Sequence, residues 1–315
     1  MKRKAIIFGI KGQYLTKDEK KLIKKCKPWG IILFSRNIKD FEQTKKLISK
    51  IKSLMKDEKY PILIDEEGGA VSRLNNIIDM SIFSQSNFGK IYKKNKNKFY
   101  IYYKIYIQTV SNLLNELGIN INTAPVLDVK RKKTNKIIFY RSFSTNKNIV
   151  SKLGNYCISL YHEKKIGTVS KHIPGHGLAL FDSHLKISVI HNKKKYLIKN
   201  DFLPFKRSKS FFAMTAHLIY SSYDAKHTVT HSKKIIRDVI RKKIGFKGIL
   251  ISDDISMKAL KYNLYENATK ALDAGCNLVL HCNGKIKEMK KLSKIIPLID
   301  VFTQKKTSQF YTFLG

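Results

Sequence analysis

Gly248-Ile249-Leu250-Ile251-Ser252-Asp253-Asp254 reads as a short apolar strand that runs straight into two acids. An apolar run this short, opened by Gly and closed by polar residues, fits a buried strand. The residues before it, Ser232 to Lys243, form an amphipathic helical run. The same strand-and-helix unit recurs along the chain. Strands are expected at Ala5 to Ile10, Gly30 to Phe34, Ile62 to Asp65, Asn120 to Asp128, Gly167 to His172, Phe211 to His217, Gly248 to Asp253 and Asn277 to Cys282. Helical runs such as Thr16 to Lys25, Asp40 to Met55, Tyr100 to Leu117 and Ile149 to His162 lie between them. Eight such units in 315 residues, with no linker or second composition regime, predict an α/β fold. A single domain, residues 1–315, closed as a (β/α)8 TIM-type barrel fits better than an open doubly wound sheet.

Composition removes several function classes. Hydrophobic residues make up 43% of the chain, enough for a large core, and the longest apolar runs fall far short of the ~20 residues of a membrane span. Ala5 to Ile10 is too short for a signal-peptide core, so a cytoplasmic protein without a membrane partner is expected. Cys26, Cys157, Cys276 and Cys282 form no Cys-x-x-Cys pair and read as buried thiols. A formal charge of +39 would ordinarily suggest nucleic acid, yet only eight of the 62 cations are Arg, the residue suited to phosphate and base recognition. The lysines read as a solvated surface, with no specific nucleic-acid partner and a monomer expected.

Function shows first in where the polar residues fall. Asp65, Asp128, Lys171 with His172, His217, Asp253, and Cys282 with Asn283 all stand at the carboxyl ends of expected strands. One Asp at such a place is often a turn former, but six such places together mark the face on which barrels build active sites. Lys171-His172-Ile173-Pro174-Gly175-His176-Gly177, followed by Asp182-Ser183-His184, crowds Lys, His and Asp into one loop. Pro174 and Gly175 break any helical pairing of His172 with His176, which argues against a metal site. Asp182 and His184, two apart on an extended segment, would point the same way, and a carboxylate on one imidazole nitrogen leaves the other to carry a proton. Of the paired acids, Asp253 should lie nearer the barrel mouth, while Asp254 caps the next turn.

These motifs carry a resemblance. The chain resembles the family 3 glycoside hydrolases, specifically the bacterial, cytosolic, single-domain β-N-acetylhexosaminidases of peptidoglycan recycling. The likeness runs from Gly30-Ile31-Ile32-Leu33-Phe34-Ser35-Arg36-Asn37 through Ile64-Asp65-Glu66-Glu67-Gly68-Gly69 with Arg73, and Ala124-Pro125-Val126-Leu127-Asp128-Val129. It continues in Arg141-Ser142-Phe143, the Lys171 to Gly177 loop with Asp182-Ser183-His184, Met214-Thr215-Ala216-His217, Ser252-Asp253-Asp254 and Cys282-Asn283. Tyr140, Ser144 and Ile173 depart from the family pattern, as do the stretches Asn76 to Asn95 and Thr228 to His231.

The resemblance implies a retaining hydrolase that removes terminal β-linked N-acetylglucosamine, with muropeptides as natural substrates. Asp253 matches the nucleophile, and His184 paired with Asp182 matches the acid/base. Asp65, Arg73, Arg141, Lys171 and His172 match the residues that clamp the sugar, and the charged heads of Arg141 and Lys171 are expected to face the pocket rather than the core. No cofactor and no metal are implied. A phosphorylase using phosphate as acceptor on the same site, a Schiff-base lyase using Lys171, and a non-catalytic polyanion-binding protein are the alternatives. The lyase leaves Asp253 and the Asp182/His184 pair unexplained.

Overall fold

The computed structural model describes residues 2–182 and 186–315. Among the described residues ten strands follow one another as β1 (Lys4–Gly9), β2 (Pro28–Leu33), β3 (Ile62–Ile64), β4 (Ile121–Asn122), β5 (Gly167–Ile173), β6 (Ser188–Ile190), β7 (Phe212–Thr215), β8 (Leu218–Tyr220), β9 (Ile249–Asp254) and β10 (Leu278–His281). Eight of them close a barrel in the order β1-β10-β9-β7-β5-β4-β3-β2, every neighbouring pair parallel. The expected (β/α)8 architecture is therefore present. The barrel strands are buried nearly throughout because side chains on one face fill the barrel and those on the other meet the helices.

The helices start where the sequence provides caps. Thr16 and Glu19 form a reciprocal capping box on Lys17–Cys26, and Asp40, Asn146, Asn263 and Asp300 cap four further helices. The last helix, Val301–Leu314, seals the amino-terminal end of the barrel, where Trp29 Nε1 donates to Thr307 Oγ1 at 2.9 Å and Phe310 packs edge-on to Phe212.

Three expectations are corrected. The strand expected over Asn120 to Asp128 is regular only at Ile121–Asn122, after which Val126 makes an isolated bridge to Lys171. Pro125 offers no N–H to a ladder, and the chain there turns instead to present Asp128 inward. The strand expected over Phe211 to His217 ends at Thr215, and Leu218–Tyr220 pairs with Ser188–Ile190 in a separate two-stranded sheet. Cys26, Cys157 and Cys276 are buried thiols, but Cys282 is partly exposed at the pocket. Among the described residues no helix is long and apolar enough to cross a membrane.

Candidate active site

The carboxyl ends of the barrel strands surround a cavity of about 190 Å³. Asp65, Arg73, Arg141, Lys171, His172, Asp182 and Asp253 all line it, alongside Thr123, His176 and the apolar Ile32, Phe34, Met214, Met257 and Leu280. Seven of the eight residues expected at the site are thus brought together. The eighth, His184, lies outside the described residues.

Asp65 follows β3 directly and is the hub of the cationic side. Its carboxylate accepts from Arg73 at 2.9 Å and from Thr123 Oγ1 at 2.7 Å, and it pairs with Lys171. Burial opposes ionisation of Asp65, yet the charges of Lys171, Arg73 and Arg141 outweigh it and hold the carboxyl well below the usual carboxylate range. Arg73 reaches Asp65 because Glu66 folds the intervening loop. The Glu66 carboxylate is fully buried and accepts from Ser72 Oγ, Gly68 N–H, Arg73 N–H and Leu74 N–H at 2.7–3.2 Å. Burial pushes Glu66 up to about 7 against those four hydrogen bonds, which favour the ionised form. Gly68 sits at φ +75°, where a Cβ would fall 2.4 Å from the Phe83 carbonyl oxygen, so only glycine fits this turn.

Arg141 and Lys171 meet on Glu67, which sequence reasoning left out of the site. Glu67 receives Arg141 Nε on Oε2 and the Arg141 terminal nitrogen on Oε1, both at 2.8 Å, and Lys171 Nζ lies 2.5 Å from the same Oε1. The fork geometry is the bidentate one that only Arg supplies. Side-chain exposure is 11% for Arg141, 2% for Lys171 and 1% for Glu67. The expectation that these two heads face the pocket rather than the core is therefore half right: they line the cavity but belong to a buried ionic cluster. The acids flanking Gly-Gly were visible as a run; which of them turned inward was not, because a glycine turn has no fixed side-chain period.

His172 is held by Asp128, which the sequence placed among the strand ends of this face but gave no role. Its Nδ1 donates to Asp128 Oδ2 at 2.8 Å, and its Nε2 lies 3.3 Å from an Arg141 nitrogen, which can only donate. The other Asp128 oxygen takes the backbone N–H of His172 at 3.2 Å and of His176 at 2.6 Å. Burial works against ionisation of Asp128, but His172 and these hydrogen bonds bring its carboxyl below the usual range. The Pro-Gly-His-Gly loop closes on this frame: a Cβ on Gly177 would stand 2.0 Å from the Val129 carbonyl oxygen, and Asp201, paired to Arg131 at 2.7 Å, backs Gly175.

Asp253 reaches the pocket from β9, and its Oδ1 accepts the Asp254 N–H at 2.8 Å. Asp254 caps the following turn as expected, accepting from the Ser256 N–H at 3.1 Å and hydroxyl at 2.7 Å. His217, fully buried beyond β7, serves this strand end rather than the pocket. Its Nε2 lies 3.0 Å from the Asp254 carbonyl oxygen, which can only accept, so Nε2 carries the proton and Nδ1 takes the hydrogen of Thr230 Oγ1 at 2.7 Å. Among the described residues no group of three or more His, Cys, Asp or Glu is arranged to hold a metal ion.

Burial holds several histidines neutral. The His176 and His231 rings are each pushed down to about 4, mainly by desolvation. In the unfolded chain such rings titrate near ~6.5, so their contribution to stability is full above that pH and is lost as pH falls toward 4. Glu66 and Asp201, pushed up to about 7 and about 6 by burial, act in the opposite sense, since their contribution is lost as pH rises. A difference measurement isolates one ring: His176→Phe should lose less stability than wild type between pH 7.5 and 5 in denaturant melts followed by circular dichroism. Equal losses would place the ring in a solvated setting.

Comparison with known proteins agrees with this geometry. Residues 8–307 match the glycosyl hydrolase family 3 N-terminal domain. The β-hexosaminidase of Haemophilus influenzae is 31% identical over 287 residues, covering 89% of this chain and 80% of the relative. That of Actinobacillus succinogenes is 32% identical over 284 residues, covering 88% and 80%. The structure superimposes on NagZ from Neisseria gonorrhoeae, solved in complex with N-trifluoroacetyl-D-glucosamine, with a TM-score of 0.87 and 26% identity over 100% of this chain and 91% of that one. The chain belongs to glycosyl hydrolase family 3 and is a β-N-acetylhexosaminidase acting on a carbohydrate substrate.

Proposed function

We propose that this enzyme removes terminal β-linked N-acetylglucosamine with retention, in two steps through a glycosyl-aspartate on Asp253, and that its natural substrates are peptidoglycan fragments met in the cytoplasm. The observation that supports this most is the convergence of these groups on one cavity. Asp65, Arg73, Arg141, Lys171 and His172, tied together by hydrogen bonds and ion pairs, line it together with Asp253 from the end of β9. A cavity of about 190 Å³ suits one sugar ring rather than a chain, as expected for cleavage of a terminal residue. The relative bound to N-trifluoroacetyl-D-glucosamine supports the same sugar class.

In the first step the Asp253 carboxylate attacks the anomeric carbon while His184, oriented by Asp182, protonates the departing oxygen. In the second step His184 takes a proton from water, which attacks the same carbon and releases Asp253. The clamp residues orient the hydroxyls and turn binding energy away from the reacting centre into stabilisation of the transition state. Their rigidity comes from Glu66, Glu67 and Asp128, which fix Arg73, Arg141 with Lys171, and His172 respectively.

Proton NMR of the first-formed anomer tests the stereochemistry. The β anomer of N-acetylglucosamine is expected from an aryl β-N-acetylglucosaminide, and an α product would rule out the covalent route. The acid/base role has its own signature. His184→Ala should give a burst of nitrophenol from an activated substrate, followed by slow turnover that azide accelerates, because only the second step still needs a base. Equal loss on activated and natural substrates, with no burst and no azide effect, would place the acid/base elsewhere.

A further inference from the structure

The segment Ile295 to Phe302 exposes four large apolar side chains. Exposure is 44% for Ile295, 51% for Leu298, 81% for Val301 and 39% for Phe302. Single exposed apolar residues are ordinary, but a run of them marks an interaction surface. The run is not loose chain. Ile296 and Ile299 are buried between the exposed residues, and Leu298 bridges Lys4. The Ala5 N–H donates to the Pro297 carbonyl at 2.9 Å and the Ile299 N–H to the Arg3 carbonyl at 2.8 Å. Pinned in this way to the start of β1, the segment holds its outward side chains at the amino-terminal end of the barrel, opposite the catalytic cavity. The helix that follows packs inward through Thr303, Thr307 and Phe310, which leaves Val301 outside the core.

Cations accompany the run. Lys294 precedes it, exposed, and Phe302 forms part of a groove of about 740 Å³ that takes in Lys233, Lys247, Lys305 and Lys306 against two acids, Asp273 and Asp300. Asp300 is committed to its helix, accepting the Thr303 N–H at 2.7 Å. The groove's two arginines are engaged as well, Arg237 with Asp238 and Arg241 with the carbonyls of Phe246 and Gly248. The lysines therefore carry the charge that this face offers a partner.

Such a partner has to be anionic and apolar at once. Nucleic acid brings phosphates, but no apolar matter to take Leu298 and Val301 out of water. A second copy brings the same surplus of cations, and at a formal charge of +39 like faces repel. The surface of an anionic bilayer supplies both needs, phosphates for the lysines and acyl chains beneath them for the apolar side chains.

We propose that this amino-terminal face is a peripheral docking surface for anionic membrane lipid, seated through Ile295, Leu298, Val301 and Phe302 and held by the lysines around them. Peripheral docking needs no spanning helix, so the lack of one does not exclude a membrane partner as the sequence reading expected. The catalytic cavity then faces away from the bilayer.

Co-sedimentation with vesicles at about 0.1 M salt tests this. Wild type should bind vesicles of equal phosphatidylglycerol and phosphatidylcholine at least about tenfold more tightly than vesicles of phosphatidylcholine alone. Val301→Asp should weaken that binding about tenfold, as should Lys305→Glu with Lys306→Glu. Lys45→Glu with Lys46→Glu, exposed on the helix Phe41–Met55, removes as much charge elsewhere and should weaken it less than about threefold. No preference for the anionic vesicles, or equal weakening by the Lys45 and Lys46 pair, overturns the proposal. So does binding that survives Val301→Asp, the behaviour of general polyanion attraction, and so does a dimer broken by Val301→Asp with no vesicle binding, the behaviour of a second copy. Hydrogen exchange on the wild type gives a reading independent of how the variants fold. Anionic vesicles should slow exchange at Ile296 to Thr303 and leave Asp253 to Ser256 unchanged, whereas no protection of the first segment contradicts the proposal.

Discussion

Asp253→Ala is expected to lower turnover on every glycoside tested, whatever its leaving group, by at least about a thousandfold, as deletion of a nucleophile does elsewhere. No other described side chain is placed to take over. Asp254 is committed to Ser256 and to the Cys282 N–H at 3.3 Å, and Asp65 is buried between Lys171 and Arg73. The fold should survive, because Asp253 stands at the partly exposed end of β9 rather than in the buried ionic cluster. Kinetics on nitrophenyl and disaccharide substrates, with circular dichroism alongside, check this. A variant that retains activity on the nitrophenyl substrate would show that the attacking group lies elsewhere.

Arg141→Ala should behave differently, since it strikes stability and activity together. Its guanidinium forks onto the buried Glu67, and the pair shares Lys171. Deleting one partner of a buried pair leaves the other charge inadequately compensated, at a cost of about 3–5 kcal/mol, and the retained Lys171 keeps the loss near the lower figure. Adding Glu67→Gln to Arg141→Met removes both charges and should restore much of the stability. Catalysis should not return, because the hydroxyl-binding fork and the donor beside His172 Nε2 are still missing. Denaturant melts and kcat/KM on the three variants separate the two effects. Recovery of both in the double variant would mean that Arg141 serves the fold alone.

The barrel was legible because its signal is repeated. Runs such as Ala5 to Ile10 and Gly248 to Asp253 are short, apolar and bounded by polar residues, and they became β1 and β9 with ends shifted by a residue. Asn120 to Asp128 was misread for a physical reason: the apolar run continues past Asn122, but Pro125 removes a ladder donor, and only an isolated bridge from Val126 to Lys171 carries the pairing further. The site was legible as a set of strand ends. What escaped was the layer behind it. Glu67 and Asp128 act through long-range partners 74 and 44 residues away, and no local pattern announces such pairings. Glu66 and Glu67 are neighbours of one chemistry, yet one binds backbone N–H groups of its own loop and the other a guanidinium from a distant segment. His176 was visible in the motif, but that its ring nitrogens have no hydrogen-bond partner among the described residues could be seen only in three dimensions.

The central claim is that Asp253 forms a covalent bond to the sugar. Incubating the protein with an activated fluorosugar analogue of N-acetylglucosamine, which slows the second step more than the first, followed by proteolysis and peptide mass spectrometry, tests it directly. The account predicts a single glycosyl adduct on the peptide that carries Ser252-Asp253-Asp254, located at Asp253 and absent from Asp253→Ala. An adduct on any other residue, or rapid turnover of the analogue with inversion and no adduct, would contradict it.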